Sequence, residues 1–283
     1  MKLLRVGAPG LEKPAMIDGS GQLRDLSAQI ADLSGPVLGA QSLQRLRALK
    51  SADLPLLDGS LRVGPCVAGV GKIVCVGLNY RDHAAEAGMP IPSEPVLFMK
   101  PPSAIIGPND AVEIPPGAEK VDWEVELGIV IGSACKRCPV QRALDHVAGY
   151  CIINDVSERA YQLERGGQWD KGKGCDTFAP IGPWLVTRDE ISDPQALELW
   201  LEVDGHRYQD SSTNQMIFPV DYLVSYISQF MSLQPGDVIA TGTPPGVGLG
   251  RKPPRFLKAG ETMQLGIAGL GQQRQRAVAA QGG

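Results

Sequence analysis

No run of this 283-residue chain approaches the roughly 18 consecutive apolar residues of a membrane span. The N-terminus reaches Gly7, Pro9 and Gly10 before any apolar segment forms, so no secretory leader is expected either. A basic excess is missing too. With 27 Lys and Arg against 31 Asp and Glu, a net charge of −4 and no block of like charge, there is no electrostatic case for a nucleic-acid partner. The six cysteines, at 66, 75, 135, 138, 151 and 175, lack framework spacing. Cys135-Lys-Arg-Cys138 has no second pair to complete a zinc site, and all six are expected to be reduced thiols of a cytoplasmic protein. The glycine-rich stretch ATGTPPGVGLG fits neither the Walker A pattern nor G-x-G-x-x-G, which removes a nucleotide reading. Internal repeats and low-complexity segments are absent.

What is there is an ordinary globular composition, 43% hydrophobic and 20% charged, ample for a sizeable core. The 34 Gly and 23 Pro point to a loop-rich, β-heavy chain. Residues 1–70 read as a small leading unit: short strands at KLLRVG and PAMID, a helix over 42–50 with Leu43, Leu46 and Leu49 on one face, and a Pro, Gly and Asp-rich connection. It has no histidine, and no chemistry is expected there. From residue 71 on, a buried-type strand KIVCVGLNY leads into a short helix, LELWLEVDGHRYQDSS reads as a hairpin, and FPVDYLVSYISQFMSL as a helix. The closing QQRQRAVAAQGG reads as a weakly ordered tail.

The stretch Lys120 to Gly132, KVDWEVELGIVIG, carries Glu124 and Glu126 two residues apart. In a strand both point to one face while Trp123, Val125 and Leu127 point to the other. Two like charges so placed repel unless solvated, protonated or bridged by a cation. An edge strand with a wet acidic face and half of a hard-metal site both remain open. His83 and Glu86 lie three apart on a helix, where a carboxylate can orient an imidazole as a general base, or serve as a surface salt partner. Asp155 falls at a strand end. Lys171 and Lys173 sit in a Gly and Lys-rich stretch that reads as a flexible loop with solvated charge. The loop around Thr243 can offer backbone N–H groups and a hydroxyl to a carboxylate.

The segments VGLNYRDHAAE, LFMKPPSAIIGPNDAVEIP, DWEVELGIVIG, GYCIINDVSERAYQ, QWDKGKGCDTFAPIGPW and ATGTPPGVG, in that order, resemble the fumarylacetoacetate hydrolase family over about residues 70–270. The leading segment is similar to that of bacterial members acting on 2,4-diketo-3-deoxy sugar acids such as fuconate or rhamnonate derivatives. The resemblance implies an α+β, β-rich fold: a mixed β-sandwich or roll over residues 71–283, with a small N-terminal α+β domain over 1–70, assembling as a homodimer or higher homo-oligomer. It implies a divalent metal (Mg²⁺, with Mn²⁺ or Ca²⁺ as alternatives) held by Glu124, Glu126 and Asp155. It also implies catalytic roles for His83, Glu86 and Lys173, and substrate contacts from Tyr80, Lys100, Gln162 and Thr243. Gly174-Cys175 departs from the Ser-Phe common after the lysine in the family. The implied reaction on a small 2-oxo or 2,4-diketo acid is hydrolytic cleavage of a carbon–carbon bond, giving pyruvate and a small hydroxy acid. Oxaloacetate decarboxylation, hydroxymuconate-type isomerisation and a ureidoglycolate-lyase-like activity are alternatives on the same site, and a non-catalytic member is a further one. Lys171, His146, His206 and the Cys-x-x-Cys keep their ordinary structural reading.

Overall fold

A computed structural model describes residues 1–88 and 90–280. The leading segment supplies β1 (Lys2–Val6), β2 (Lys13–Ile17), β3 (Leu23–Asp25) and helix α1 (Ala40–Arg47). Next come β4 (Ile73–Gly77), α2 (Arg81–Ala87), β5 (Val96–Lys100), β6 (Ile105–Ile106), β7 (Val112–Ile114) and β8 (Val121–Asp122). The middle of the chain gives β9 (Val125–Ile131), α3 (Val140–Ala143), β10 (Val147–Asn154), β11 (Ser157–Glu158), α4 (Arg159–Leu163), α5 (Asp170–Lys173) and β12 (Ala179–Thr187). The remainder is β13 (Glu198–Val203), β14 (His206–Ser212), α6 (Val220–Phe230), β15 (Val238–Ala240), β16 (Thr262–Ile267) and β17 (Gly271–Ala279).

These strands form a ten-stranded mixed sheet in the order β3-β2-β1-β12-β10-β9-β15-β4-β5, with β6 alongside β12. A five-stranded sheet runs β14-β13-β16-β17-β7, and β8 and β11 make a short pair. The fold is the β-rich α+β class expected from the sequence. At its centre, β9 is buried along its whole length, which rules out the wet edge strand. Period-2 alternation sends Trp123, Val125, Leu127, Ile129 and Ile131 into one core, shared with the second sheet and α6. Val130 and the β10 residues Cys151 and Ile153 enter another core, shared with Leu33, Leu38, Leu43 and Leu46 of the leading segment. A strand covered on both faces reads as a continuous apolar run, and two carboxylates within it are therefore conspicuous.

The expected boundary at residue 70 falls between segments that share hydrogen bonds and a core. β1 pairs antiparallel with β12, so β1–β3 extend the large sheet, while α1 covers its face. Two expectations are corrected. The Lys120–Gly132 stretch is two strands, β8 and β9, broken at Trp123-Glu124. Most of the expected tail is strand: its residues up to Ala279 belong to the nine-residue β17, paired with β16 and β7, and its last three residues lie outside the described ones. Its buried positions are Gln273, Gln275 and Ala277, so polarity conceals a regular in–out alternation. Gln273 Nε2 donates to the Ile152 and Gly182 carbonyls at 2.8 and 3.0 Å. Gln275 Oε1 accepts from Asn154 Nδ2 at 3.0 Å, and Asn154 Oδ1 in turn accepts from the Glu124 amide at 3.2 Å.

Replacing Gln275 by Leu leaves buried partners unsatisfied, and an unsatisfied buried group costs about 1–3 kcal/mol. Chemical denaturation is expected to show Gln275→Leu destabilised by about that amount, while Gln272→Leu on the exposed face stays within about 0.5 kcal/mol.

Candidate functional site

Antiparallel pairing sets Glu126 opposite Ile153 and Val125 opposite Asn154. One step beyond, the Asp155 amide donates to the Glu124 carbonyl at 2.9 Å. Opposed residues share a face, as do alternate residues along a strand. Glu124, Glu126 and Asp155 therefore converge, each offering an oxygen within 4.8 Å of the others, and all three are buried.

Buried like charges persist only if matched by partners. Lys173 Nζ bridges Glu124 Oε2 at 2.7 Å and Asp155 Oδ2 at 2.9 Å. Lys100 Nζ donates to Asp155 Oδ1 at 2.6 Å and to the Val156 carbonyl at 3.0 Å. Arg159 spans Glu124 Oε1 at 2.7 Å and Asp122 Oδ2 at 2.8 Å. Burial acts to raise the Glu124 carboxyl, but Lys173 and Arg159 outweigh it and hold the group at about 2. Burial alone would lower the Lys173 ammonium, yet Asp155 and Glu124 keep it above the usual lysine range. Glu126 is treated differently. Its Oε2 accepts the Gly242 amide at 2.8 Å, and it has no cationic partner among the described residues. Burial, with Asp155 and Glu124 close by, pushes its carboxyl well above the usual carboxylate range.

The group thus sets four carboxylates (Asp122, Glu124, Glu126 and Asp155) against three cations (Lys100, Arg159 and Lys173), with the imbalance at Glu126. That fits a bound cation, and three oxygen donors suit a hard divalent ion such as Mg²⁺, Mn²⁺ or Ca²⁺.

A cavity of about 250 Å³ opens onto the cluster, with Glu124, Glu126, Arg159 and Lys173 in its wall and His83 there too. His83 Nδ1 lies 3.2 Å from Glu86 Oε2. With the carboxylate accepting at Nδ1, the imidazole is left with Nε2 as its basic nitrogen. Glu86 is itself held by the Gly246 amide, at 3.1 and 3.2 Å from its two oxygens. Gly246 has φ +102°, and a Cβ there would lie 1.9 Å from the Tyr208 carbonyl oxygen, so only glycine fits. Gly242, the donor to Glu126, is likewise at φ +96°, with a Cβ position 2.8 Å from that of Asn79. A larger groove of about 590 Å³ lies elsewhere, near α1; it is lined by Arg47, Asp145, Arg188 and Asp189, whose charges pair with one another.

Among the expected substrate contacts, Gln162 and Thr243 line the cavity. Gln162 Oε1 accepts from Arg159 at 3.1 Å, and the Thr243 hydroxyl donates to the Val125 carbonyl at 2.9 Å. Tyr80 and Lys100 do not line it. The Tyr80 hydroxyl is fully buried without a partner among the described residues, and Lys100 stands behind Asp155. Lys173 lies not in a flexible loop but in α5, which turns it inward at 2% exposure while Lys171 stays exposed. Sequence reasoning missed Arg159 and Asp122. Asp122 also fastens the glycine-rich loop, accepting the Gly248 and Leu249 amides at 2.7 and 3.0 Å. Their signal was a buried-strand Asp and an Arg directly after Glu158 at a helix start, neither distinctive alone.

A β-rich fold holding a buried acidic cluster beside a His–Glu pair defines a class of enzyme with a candidate metal centre. Residues 72–278 match the family model described as fumarylacetoacetate (FAA) hydrolase C-terminal. A protein of Burkholderia cenocepacia strain HI2424, whose name proposes hydrolase activity without a substrate, is 64% identical over 99% of this chain and 100% of its own. The crystal structure of 2-hydroxyhepta-2,4-diene-1,7-dioate isomerase from Mycobacterium marinum is similar at 34% identity, a TM-score of 0.78 and full coverage of both chains. The maleylpyruvate hydrolase of Sphingobium sp. SYK-6, solved with manganese(II) and pyruvate, is similar at 27% identity and a TM-score of 0.82, over 99% of this chain and 100% of that one. The chain belongs to the fumarylacetoacetate hydrolase family, whose enzymes include hydrolases and isomerases. No helix among the described residues is long and apolar enough to cross a membrane.

At a Mn²⁺ concentration about 100 times its dissociation constant, the wild type is expected to gain about 2.7 kcal/mol of stability by mass action. Glu126→Gln should fold but show no such gain in a thermal melt with and without Mn²⁺.

Proposed function

We propose that the chain is a divalent-metal-dependent hydrolase that cleaves a carbon–carbon bond of a small 2,4-diketo acid, releasing pyruvate and a second small acid. The observation that carries this reading is one small cavity lined by Glu124, Glu126, Lys173, Arg159 and His83, with Asp155 converging on the two glutamates and Glu86 holding the imidazole. The likeness to a maleylpyruvate hydrolase solved with manganese(II) and pyruvate supports it. Mg²⁺ or Mn²⁺ held by Glu124, Glu126 and Asp155 would supply Lewis acidity toward the carboxylate and keto oxygens of the 2-oxo acid. The chain's own groups do the rest. His83 takes a proton from water, and Glu86 holds the ring in the tautomer that presents Nε2 and favours the imidazolium that results. The hydroxide attacks the distal carbonyl. As the carbon–carbon bond breaks, its electron pair passes to the pyruvate half, where the Lys173 ammonium and Arg159 guanidinium stabilise the growing negative charge. The His83 imidazolium then returns the proton to that carbon.

A cavity of about 250 Å³ is small beside the range of roughly 300–1,000 Å³ typical of drug-sized ligands, in keeping with a short-chain acid. The part of its wall formed by Phe98, Leu163, Trp169, Val247 and Leu249 is apolar, which suits a substrate ending in a methyl or short alkyl group. The 6-deoxy diketo acids of the fuconate and rhamnonate series end in a methyl group and head the candidates. A second reading rests on the likeness to a heptadiene-dioate isomerase: the same groups could move a proton without water attack.

With Mg²⁺ present, release of pyruvate from 2,4-diketo-3-deoxy acids is expected, read by coupling to lactate dehydrogenase. Isomerisation of a hydroxymuconate-type acid with no pyruvate from any diketo acid would overturn the hydrolase reading in favour of the second. His83→Ala is expected to lower kcat by about 10²–10⁴-fold, the usual worth of a general base, with divalent-cation binding retained.

A further inference from the structure

The connection between β9 and β10 carries a second set of ligating side chains that the chemistry above does not use. Cys135 and Cys138 are 1% and 5% exposed, and His146 is half-buried just before β10 begins. One ligand atom from each lies within 4.8 Å of the other two. We propose that Cys135, Cys138 and His146 form a separate site for a soft divalent cation, zinc foremost, that fastens the β9–β10 connection.

Four observations carry it. First, the thiols are presented by an anchored turn. The Cys135 amide and carbonyl both pair with Leu233 at 2.9 Å, and the Arg137 amide donates to the Ser228 carbonyl at 2.8 Å. The Cys138 amide donates to Ser228 Oγ at 2.9 Å, and Arg137 takes φ +52° to bring the two sulfurs to the same side. Second, the imidazole has a supporting hydroxyl, with Ser133 Oγ 2.9 Å from Nδ1, the kind of contact that ligating histidines use. Third, the chemistry of the donors selects the ion. Two sulfurs and a nitrogen favour zinc over Mg²⁺ or Ca²⁺, and two thiolates neutralise a divalent charge in a mostly buried place. Fourth, the spacing is close to what is needed. Zn–S bonds of about 2.3 Å and Zn–N bonds of about 2.0 Å put tetrahedral donors about 3.5–3.8 Å apart, so the ligand atoms need close by no more than about 1.3 Å. The half-buried side at His146 leaves the fourth position to water.

The test uses the full-length protein, stripped of metal by chelator under reductant and then given saturating Mg²⁺ to occupy the carboxylates. Titration with Cd²⁺, a spectroscopic stand-in for zinc, is expected to develop one equivalent of thiolate-to-cadmium charge-transfer absorption, which added Zn²⁺ displaces. Cys135→Ser/Cys138→Ser should lose the band and Glu126→Gln should keep it. His146→Ala should weaken binding by at least about 10-fold, the loss expected even from removing a supporting group. If the serine variant fails to fold, the wild type decides alone: Zn²⁺ should slow alkylation of Cys135 and Cys138 in peptide maps, with the other cysteines unchanged. Absence of the band, its survival in the serine variant, no protection by zinc, or an intact mass showing a Cys135–Cys138 disulfide under reductant would each overturn the proposal.

Discussion

Everything in the site depends on one constraint: the register of β9 against β10 holds three buried carboxylates together at the floor of a small cavity. Desolvating a charge costs several kcal/mol per ion even after relaxation, and like charges add repulsion. The surrounding structure therefore consists largely of answers to that cost. Lys173 and Lys100 address Asp155 from two sides, and Arg159 is shared between Glu124 and Asp122. Once those pairs are made, Glu126 has no cation among the described residues, and that is the imbalance in charge that a hard ion would fill. A cluster fully balanced by lysine and arginine would have no such appetite.

The same economy explains the loops. Asp122 holds Arg159 with one oxygen and the glycine-rich loop with both, so the loop that supplies Gly242, Thr243 and Gly246 is tied to the arginine that steadies Glu124. Gly246 then reaches across to Glu86, and Glu86 orients His83. Helix α2 contributes the His–Glu spacing but not its placement; placement comes through a backbone amide at a position that no residue with a Cβ could occupy. The ionic cluster and the base are coupled through backbone, which gives a rigid spacing between the charge that binds an acid and the group that moves its proton.

Features with a local period were legible in the sequence. The two glutamates on alternate positions, the strand-end Asp155 and the His83–Glu86 spacing needed only the geometry of a strand and a helical turn. What could not be read is what comes from across the fold. Lys100 looks like any strand-end lysine until β5 is set near Asp155, and Tyr80 looks available until α6 and the second sheet close over it. By pattern alone Lys173 reads as loop charge, because a four-residue helix has too little sequence to show a period; only the family resemblance singles it out. The closing strand β17 did alternate, but its buried side is glutamine, and polarity there reads as solvent until Ile152, Gly182 and Asn154 supply the partners.

The Cys-x-x-Cys shows the same limit from the other side. No second cysteine pair is near it in sequence, and the third ligand of the proposed site is a histidine that the β9–β10 connection folds back near the thiols. This places the two clusters at opposite ends of one strand pair. The carboxylates sit where β9 begins and β10 ends; the thiols and imidazole sit where β9 ends and β10 begins. Seven residues of β9 at about 3.3 Å each separate them by roughly 20 Å, too far for either ion to sense the other strongly through screened electrostatics. The link is mechanical. A β-strand pair keeps its register only as well as its connection is held, and a slip of one residue would turn Glu124 and Glu126 away from Asp155 altogether. A soft ion at the turn and a hard ion at the open end would not compete for ligands, since thiolate and carboxylate select different metals. Fastening the connection would then act on the active end without touching it, by restricting the one degree of freedom on which the convergence of three carboxylates depends.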